Sequence, residues 1–132
     1  MKAIRFIVAT VLVGASALAQ HVALAQSDIA RAEVQRHNLS VPGREVVQVR
    51  VDFPPGAAFP RHRHPGEEVA YVLEGSVEYQ LEGQPPITLK TGESLFIPAG
   101  AAHTARNVGG GKASELATYI VDIGKPPLEL VH

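Results

Sequence analysis

The sequence predicts an all-β domain, a sandwich or small barrel, on three observations. All ten prolines and eleven of the twelve glycines fall between Pro42 and Pro127, so this region is interrupted every few residues and has no room for a long helix. Between the breakers lie short β-prone runs at regular spacing, the pattern of an all-β domain rather than of alternating strands and helices. In the first run, Glu45 to Phe53, the residues Val47, Val49, Val51 and Phe53 alternate with Gln48, Arg50 and Asp52, the period of two of a half-buried strand.

The N-terminus is of another kind. Lys2 and Arg5 precede an apolar run from Phe6 to Ala19, and the first 25 residues contain no acid. Ala17-Leu18-Ala19 and Ala23-Leu24-Ala25 are small-residue sites of the type a signal peptidase cleaves. Residues 1–25 are therefore expected to be a secretory signal peptide, cut after Ala25 or alternatively after Ala19, which makes the protein periplasmic or secreted. The run falls short of the roughly 18 apolar residues a spanning helix needs, so no membrane partner is expected after processing.

Removing 25 of the 132 residues, with two of the twelve bases, leaves 107 residues carrying ten basic and thirteen acidic side chains. Such a chain makes one domain, and its balance offers no basic stripe for nucleic acid. There is no cysteine, so an exported domain of this kind is held by packing or by a metal bound without thiolates.

Residues 26–43 allow two readings: a short helix capped by Ser27 or Asp28 and running to Val34, or an edge strand over Glu33 to Leu39, which a partner chain could receive in exchange. Residues 44–123 form the expected barrel. After Glu45 to Phe53, ended by Pro54-Pro55-Gly56, the expected strands are Glu68 to Glu74, Ser76 to Leu81, Ile87 to Leu89, Ser94 to Ile97, His103 to Asn107 and Leu116 to Val121. Glu74-Gly75 and Glu82-Gly83 supply turns, and Gly109-Gly110-Gly111 is a loop tip. Residues 124–132 form a tail whose Lys125-Pro126-Pro127 start bars it from a central strand.

The chemistry concentrates in two glycine-framed segments. His62 and His64 stand two apart, and on an extended strand they project from one face toward a common point. Glu68 follows across the turn-prone Pro65-Gly66, and His103 follows Pro98-Ala99-Gly100 far along the chain. Three imidazoles and a carboxylate suit one divalent transition ion, Fe, Mn, Ni, Co, Cu or Zn, rather than Ca or Mg. His37 and His132 read as ordinary surface side chains.

The framing residues go further than the His-x-His pair. Gly56, His62, His64, Glu68 and Gly75 are separated by five, one, three and six residues; Gly92, Pro98, Gly100, His103 and Asn107 by five, one, two and three. Ten specified positions at roughly 5 to 7% each coincide by chance on the order of 10⁻¹² per register. In both motifs the sequence resembles the cupin superfamily, as a single-domain member, over about Arg44 to Val121. The resemblance implies a double-stranded β-helix, a jelly-roll-like small barrel, with His62, His64, Glu68 and His103 as metal ligands, and Gly75, Gly92, Gly100 and Asn107 as structural residues. It also implies that two copies commonly pair as a homodimer.

This fold hosts many reactions. The subclass most like this arrangement is the quercetin-dioxygenase-like one, which implies a metalloenzyme of dioxygenase type acting on an enol or phenol. The alternatives are a Lewis-acid isomerase or lyase and a non-catalytic metal-dependent binder of a small molecule. Phe53, Phe59, Tyr71, Tyr79, Phe96 and Tyr119 are the aromatics available to line a cavity, and Arg61, Arg63 and Arg106 the cations near the motifs. Facing of Glu67 and Glu68 is contested in the sequence. Glu67 shares alternation with the bulky Val69, Tyr71 and Leu73, whereas motif spacing turns Glu68 inward beside Ala70 and Val72.

Overall fold

The computed structural model of the chain describes residues 28–132; the expected signal peptide, residues 1–25, lies outside the described residues. The described residues contain ten strands: β1 (Ala30–Asn38), β2 (Arg44–Phe53), β3 (Ala58–Arg63), β4 (Glu67–Glu74), β5 (Ser76–Leu81), β6 (Ile87–Lys90), β7 (Ser94–Ile97), β8 (His103–Asn107), β9 (Ala113–Asp122) and β10 (Glu129–Leu130). Among them no helix is long and apolar enough to cross a membrane.

The strands form two five-stranded sheets, ordered β1-β2-β9-β4-β7 and β10-β3-β8-β5-β6, with every pairing antiparallel. The chain changes sheet at nearly every connection, and this winding makes the jelly roll expected of the sequence. Alternation decides which side chains meet between the sheets. From β2, Val47, Val49, Val51 and Phe53 turn inward; from β9, Ala117, Tyr119 and Val121; from β4, Ala70 and Val72; from β5, Val77, Tyr79 and Leu81.

Turns hold the two motifs in place. At Gly66 a Cβ would stand 1.9 Å from the carbonyl oxygen of Ile120, so only glycine lets the chain pass β9 on its way from His64 to Glu68. The next turn, at Gly100, is tied back by its N–H to the carbonyl of His64 at 2.9 Å. Asn107 fastens the far end: its amide donates to the carbonyls of Phe53 and Gly111, at 3.1 and 2.8 Å, and accepts from the N–H of Gly109 at 2.9 Å.

Three elements differ from the sequence expectation. Residues 30–38 are an exposed strand on β2 of the same chain, not a helix; the edge-strand reading holds and begins earlier than expected. Pairing with the long β2 ladder outweighs the local capping signal. Strand β3 is absent from the expected strands, although the His62–His64 spacing assumed extended chain there; Pro60 lies within it, and its pairing with β8 breaks register between Phe59 and His62. The tail does reach a sheet, but only as the two-residue edge strand β10 against β3, beyond its prolines.

Candidate metal centre

His62 lies near the end of β3 and His64 just beyond it, Glu68 on β4 and His103 at the start of β8, all buried. His62 and His103 are direct cross-strand partners. The three imidazoles bring ligand nitrogens within 4.8 Å of one another. Glu68 crosses from the opposite sheet, its Oε2 3.0 Å from His64 Nε2 and 3.3 Å from His103 Nε2. Glu67 points the other way and pairs with Arg44 at 2.9 Å.

Backbone carbonyls fix the orientation of each ring. His62 Nδ1 bonds to the oxygen of Pro60 at 2.7 Å, His64 Nδ1 to that of Pro127 at 2.6 Å, and His103 Nδ1 to that of Ala101 at 2.9 Å. A carbonyl only accepts, so each Nδ1 carries a proton and each neutral ring turns the lone pair of Nε2 inward. His64 Nε2 and Glu68 Oε2 are buried with no hydrogen-bond partner although they face each other. Unsatisfied polar atoms of this kind are costly in a protein interior. A divalent ion among the three nitrogens and the carboxylate would satisfy both, so the donor set fits the metal that the motifs imply.

The electrostatics favour a neutral His62 and a charged Glu68, whose carboxylate draws a proton toward His103. Burial, together with the adjacent His103, pushes His62 down to about 4. Burial pushes Glu68 up, but His103 and His64 outweigh it and hold this carboxyl below its ordinary value. Burial likewise works to lower His103, yet the Glu68 carboxylate and the Ala101 carbonyl hold it above its ordinary value. A second carboxyl, Glu115 on β9, lies fully inside the same cavity. Burial and the charge of Glu68 push it up to about 8, against the pull of its hydrogen bond with the Tyr79 hydroxyl. Two carboxyls beside one cluster are thus driven apart, one ionised and one neutral at pH 7.

The cavity beside the cluster has room for a single water, about 10 Å3, and the recess including its open mouth is about 300 Å3. Phe59, Tyr79 and Tyr119 line it; Tyr119 also packs on His64 with ring centroids 4.5 Å apart. Phe53 is buried in the core and does not line it. Tyr71 and Phe96 are corrected outright: they stand on the outer face of their sheet, 43% and 59% exposed, because alternation gives the inner face of β4 to Glu68, Ala70 and Val72. Arg61, Arg63 and Arg106 also face outward, paired with Glu82, Glu129 and Glu78. Sequence reasoning missed Arg31, Glu115 and Leu128, which all line the cavity. Glu115 was findable, since it continues the inward alternation of Ala117, Tyr119 and Val121 one step upstream of the expected strand.

A buried three-histidine cluster between two jelly-roll sheets defines the class of protein. Residues 49–119, more than half of the chain, match the cupin domain family model, and the chain belongs to the cupin family. It is 41% identical over 56 residues to dimethylsulfoniopropionate lyase DddQ of Ruegeria pomeroyi, a match covering 42% of this chain and 28% of that protein. The crystal structure of that lyase superposes with a TM-score of 0.65 at 26% identity, over 78% of this chain and 51% of that one. An oxalate-binding protein of Thermotoga maritima is 32% identical over 73 residues, 54% of this chain and 60% of that protein. An oxalate oxidase structure superposes with a TM-score of 0.58 at 25% identity, over 74% of this chain and 60% of that one. The matches thus span less than two thirds of these relatives.

Proposed function

We propose that this chain is an exported metal-dependent enzyme that binds a small carboxylate at the cluster and moves a proton on it, as a lyase or isomerase does. The observation that carries this reading is Glu115, a buried carboxyl hydrogen-bonded to Tyr79 and bordering the same cavity as His62, Glu68 and His103. A carboxyl that borders the cavity, is held by a tyrosine hydroxyl and is shielded from water is placed to give or take a proton on a substrate bound there. The ion, held by His62, His64, Glu68 and His103, would supply Lewis acidity toward a substrate oxygen. Glu115 exchanges the proton, Tyr79 holds its carboxyl in place, and Phe59 and Tyr119 keep bulk water from the site. Two relatives, a dimethylsulfoniopropionate lyase and an oxalate-binding protein, support a carboxylate substrate, since dimethylsulfoniopropionate and oxalate both carry that group.

The likeness to oxalate oxidase favours a second reading, oxidation of an enol, phenol or acid by O₂, in which the cluster holds a redox-active ion. One experiment separates the two. The chain is loaded with Mn, Fe, Ni or Zn and incubated with short carboxylic acids in D₂O, following deuterium incorporation by NMR and oxygen by electrode. Deuterium incorporation that needs the metal, is abolished in Glu115→Gln and proceeds without oxygen uptake is expected. Uptake selects the oxidase, and neither signal with any metal leaves a non-catalytic binder. Export rests on the N-terminal sequence, and mass spectrometry of the exported protein is expected to find Gln26 as its first residue.

A further inference from the structure

Arg31 is set apart from the other arginines of the described chain. Arg36, Arg44, Arg50, Arg61, Arg63 and Arg106 each hold a carboxylate at 2.6 to 3.1 Å. Arg31 alone among the described arginines has no such ion pair; its guanidinium lies over the Phe59 ring, 5.5 Å from the centroid, interacts with the Tyr119 hydroxyl, and is near enough to Glu115 for its charge to act there. Its place is fixed by register: Arg31 stands opposite Val51, and Val51 lines the cavity beside the cluster. Arg31 lines that cavity too, and it also lines a neighbouring outer groove of about 320 Å3 bounded by Glu33, Arg36, Val47, Tyr119 and Pro127. Arg31 and Tyr119 therefore border both the groove and the recess that leads to the imidazoles.

The geometry points to Arg31 as the residue that anchors the carboxylate of the substrate, while the substrate's other oxygen reaches the cluster; this rests on the proposed metal-dependent function. A guanidinium held by a ring face and a hydroxyl keeps most of its planar fork of donors for a carboxylate, and it gives up no ion pair to take one. Arg31 stands on the exposed strand β1, so what it offers an acid is a fork of donors at the mouth of the recess, steadied by the Phe59 ring. The adjoining groove of about 320 Å3 is at the small end of ligand sites, which suits an acid of a few carbons. The anchor comes from β1, outside both histidine motifs, so specificity would be set by an edge strand that the motifs do not describe.

The test uses the full chain loaded with Co(II), titrated with glycolate and with its neutral analogue glycolamide while the visible bands of the metal are followed. The wild type is expected to prefer glycolate, and in Arg31→Gln that preference should shrink about tenfold, the size of a lost charge-assisted hydrogen bond. Cobalt content should be unchanged, and Arg31→Lys should keep part of the preference. An unaltered preference in Arg31→Gln would overturn the anchor and leave the metal centre standing. Loss of cobalt in Arg31→Gln would also overturn it, by showing a structural role at the barrel edge. Cobalt uptake by the wild type that His62→Ala does not reduce would remove the metal centre itself, and the anchor with it.

Discussion

His64 is tied to the C-terminal tail: its Nδ1 donates to the carbonyl of Pro127 at 2.6 Å, across 63 positions of sequence. The ring is thereby oriented by a segment outside both histidine motifs, and the next residue, Leu128, closes one wall of the cavity. The tail itself is held by β10 on β3, by the Glu129–Arg63 pair at 2.8 Å, and by the N–H of Val131 on the carbonyl of Arg61 at 3.0 Å. Backbone partners of ligating imidazoles typically account for about 10- to 100-fold in metal affinity. Deletion of residues 126–132 should weaken metal binding by roughly that factor, read by competition with a chromophoric chelator. Equal affinity in the truncated and full chains would show that His64 needs no such support.

Glu68 and Glu67 provide the sharpest local comparison. Glu68→Gln keeps the shape of the side chain but removes the one negative charge facing the imidazoles, and metal content should fall to a small fraction of the wild-type value. Glu67→Gln breaks only a half-exposed pair with Arg44, worth about 1 kcal/mol or less, and should leave metal content unchanged. Elemental analysis of both variants after dialysis decides the matter. The reverse outcome would move the carboxylate ligand by one residue.

The sequence made the sheets and the cluster legible to different degrees, for physical reasons. Strands with a clean period of two, such as β2 and β5, were visible because one face is core and the other solvent. Strand β3 was hidden by Pro60 and by a run of arginine and histidine, since its inward side chains are polar groups turned to a site rather than to a core. The cluster was legible because glycine-framed turns and histidines must keep fixed spacing. Arg31 and Leu128 were not, because each reaches the cavity from a segment far along the chain that no local pattern places there, whereas the alternation of β9 already turned Glu115 inward. The outward facing of Tyr71 and Phe96 shows the same limit: an aromatic in a strand advertises burial, not which face is buried.

The proton on Glu115 should leave a mark on stability. In the folded, metal-free chain this carboxyl keeps its proton up to about pH 8, against 4.5 as its ordinary value. Between those values the folded state binds more protons than the unfolded state, so the contribution of Glu115 to stability falls as pH rises through the window. Glu115→Gln keeps a hydrogen-bonding partner for Tyr79 and removes the titration. In metal-stripped protein the melting temperature of the variant relative to wild type should therefore be higher at pH 8 than at pH 5. The opposing effect of His62, whose lowered value costs stability as pH falls from 6.5 toward 4, is present in both proteins and cancels. A difference independent of pH would show that Glu115 ionises freely in the fold.

The outer face of the β4–β7 pair leads to the last prediction, a homodimer. Val69, Tyr71, Leu73 and Phe96 stand exposed there, and Phe96 also borders a groove of about 690 Å3 with Leu39, Val41, Pro42 and Ile120. A contiguous apolar surface of this kind on a small domain marks an interaction site. A second copy suits it, because a two-fold axis through the face makes the apolar patch its own complement and allows Arg44 of one copy, at the rim of the groove, to meet Glu67 of the other. Light scattering at micromolar concentration should give twice the mass of one chain. The double substitution Tyr71→Glu, Phe96→Glu should produce monomers with full metal content, because both residues point away from the cluster. A wild-type monomer would refute the dimer, and loss of metal in the double variant would show that the face supports the site rather than a partner.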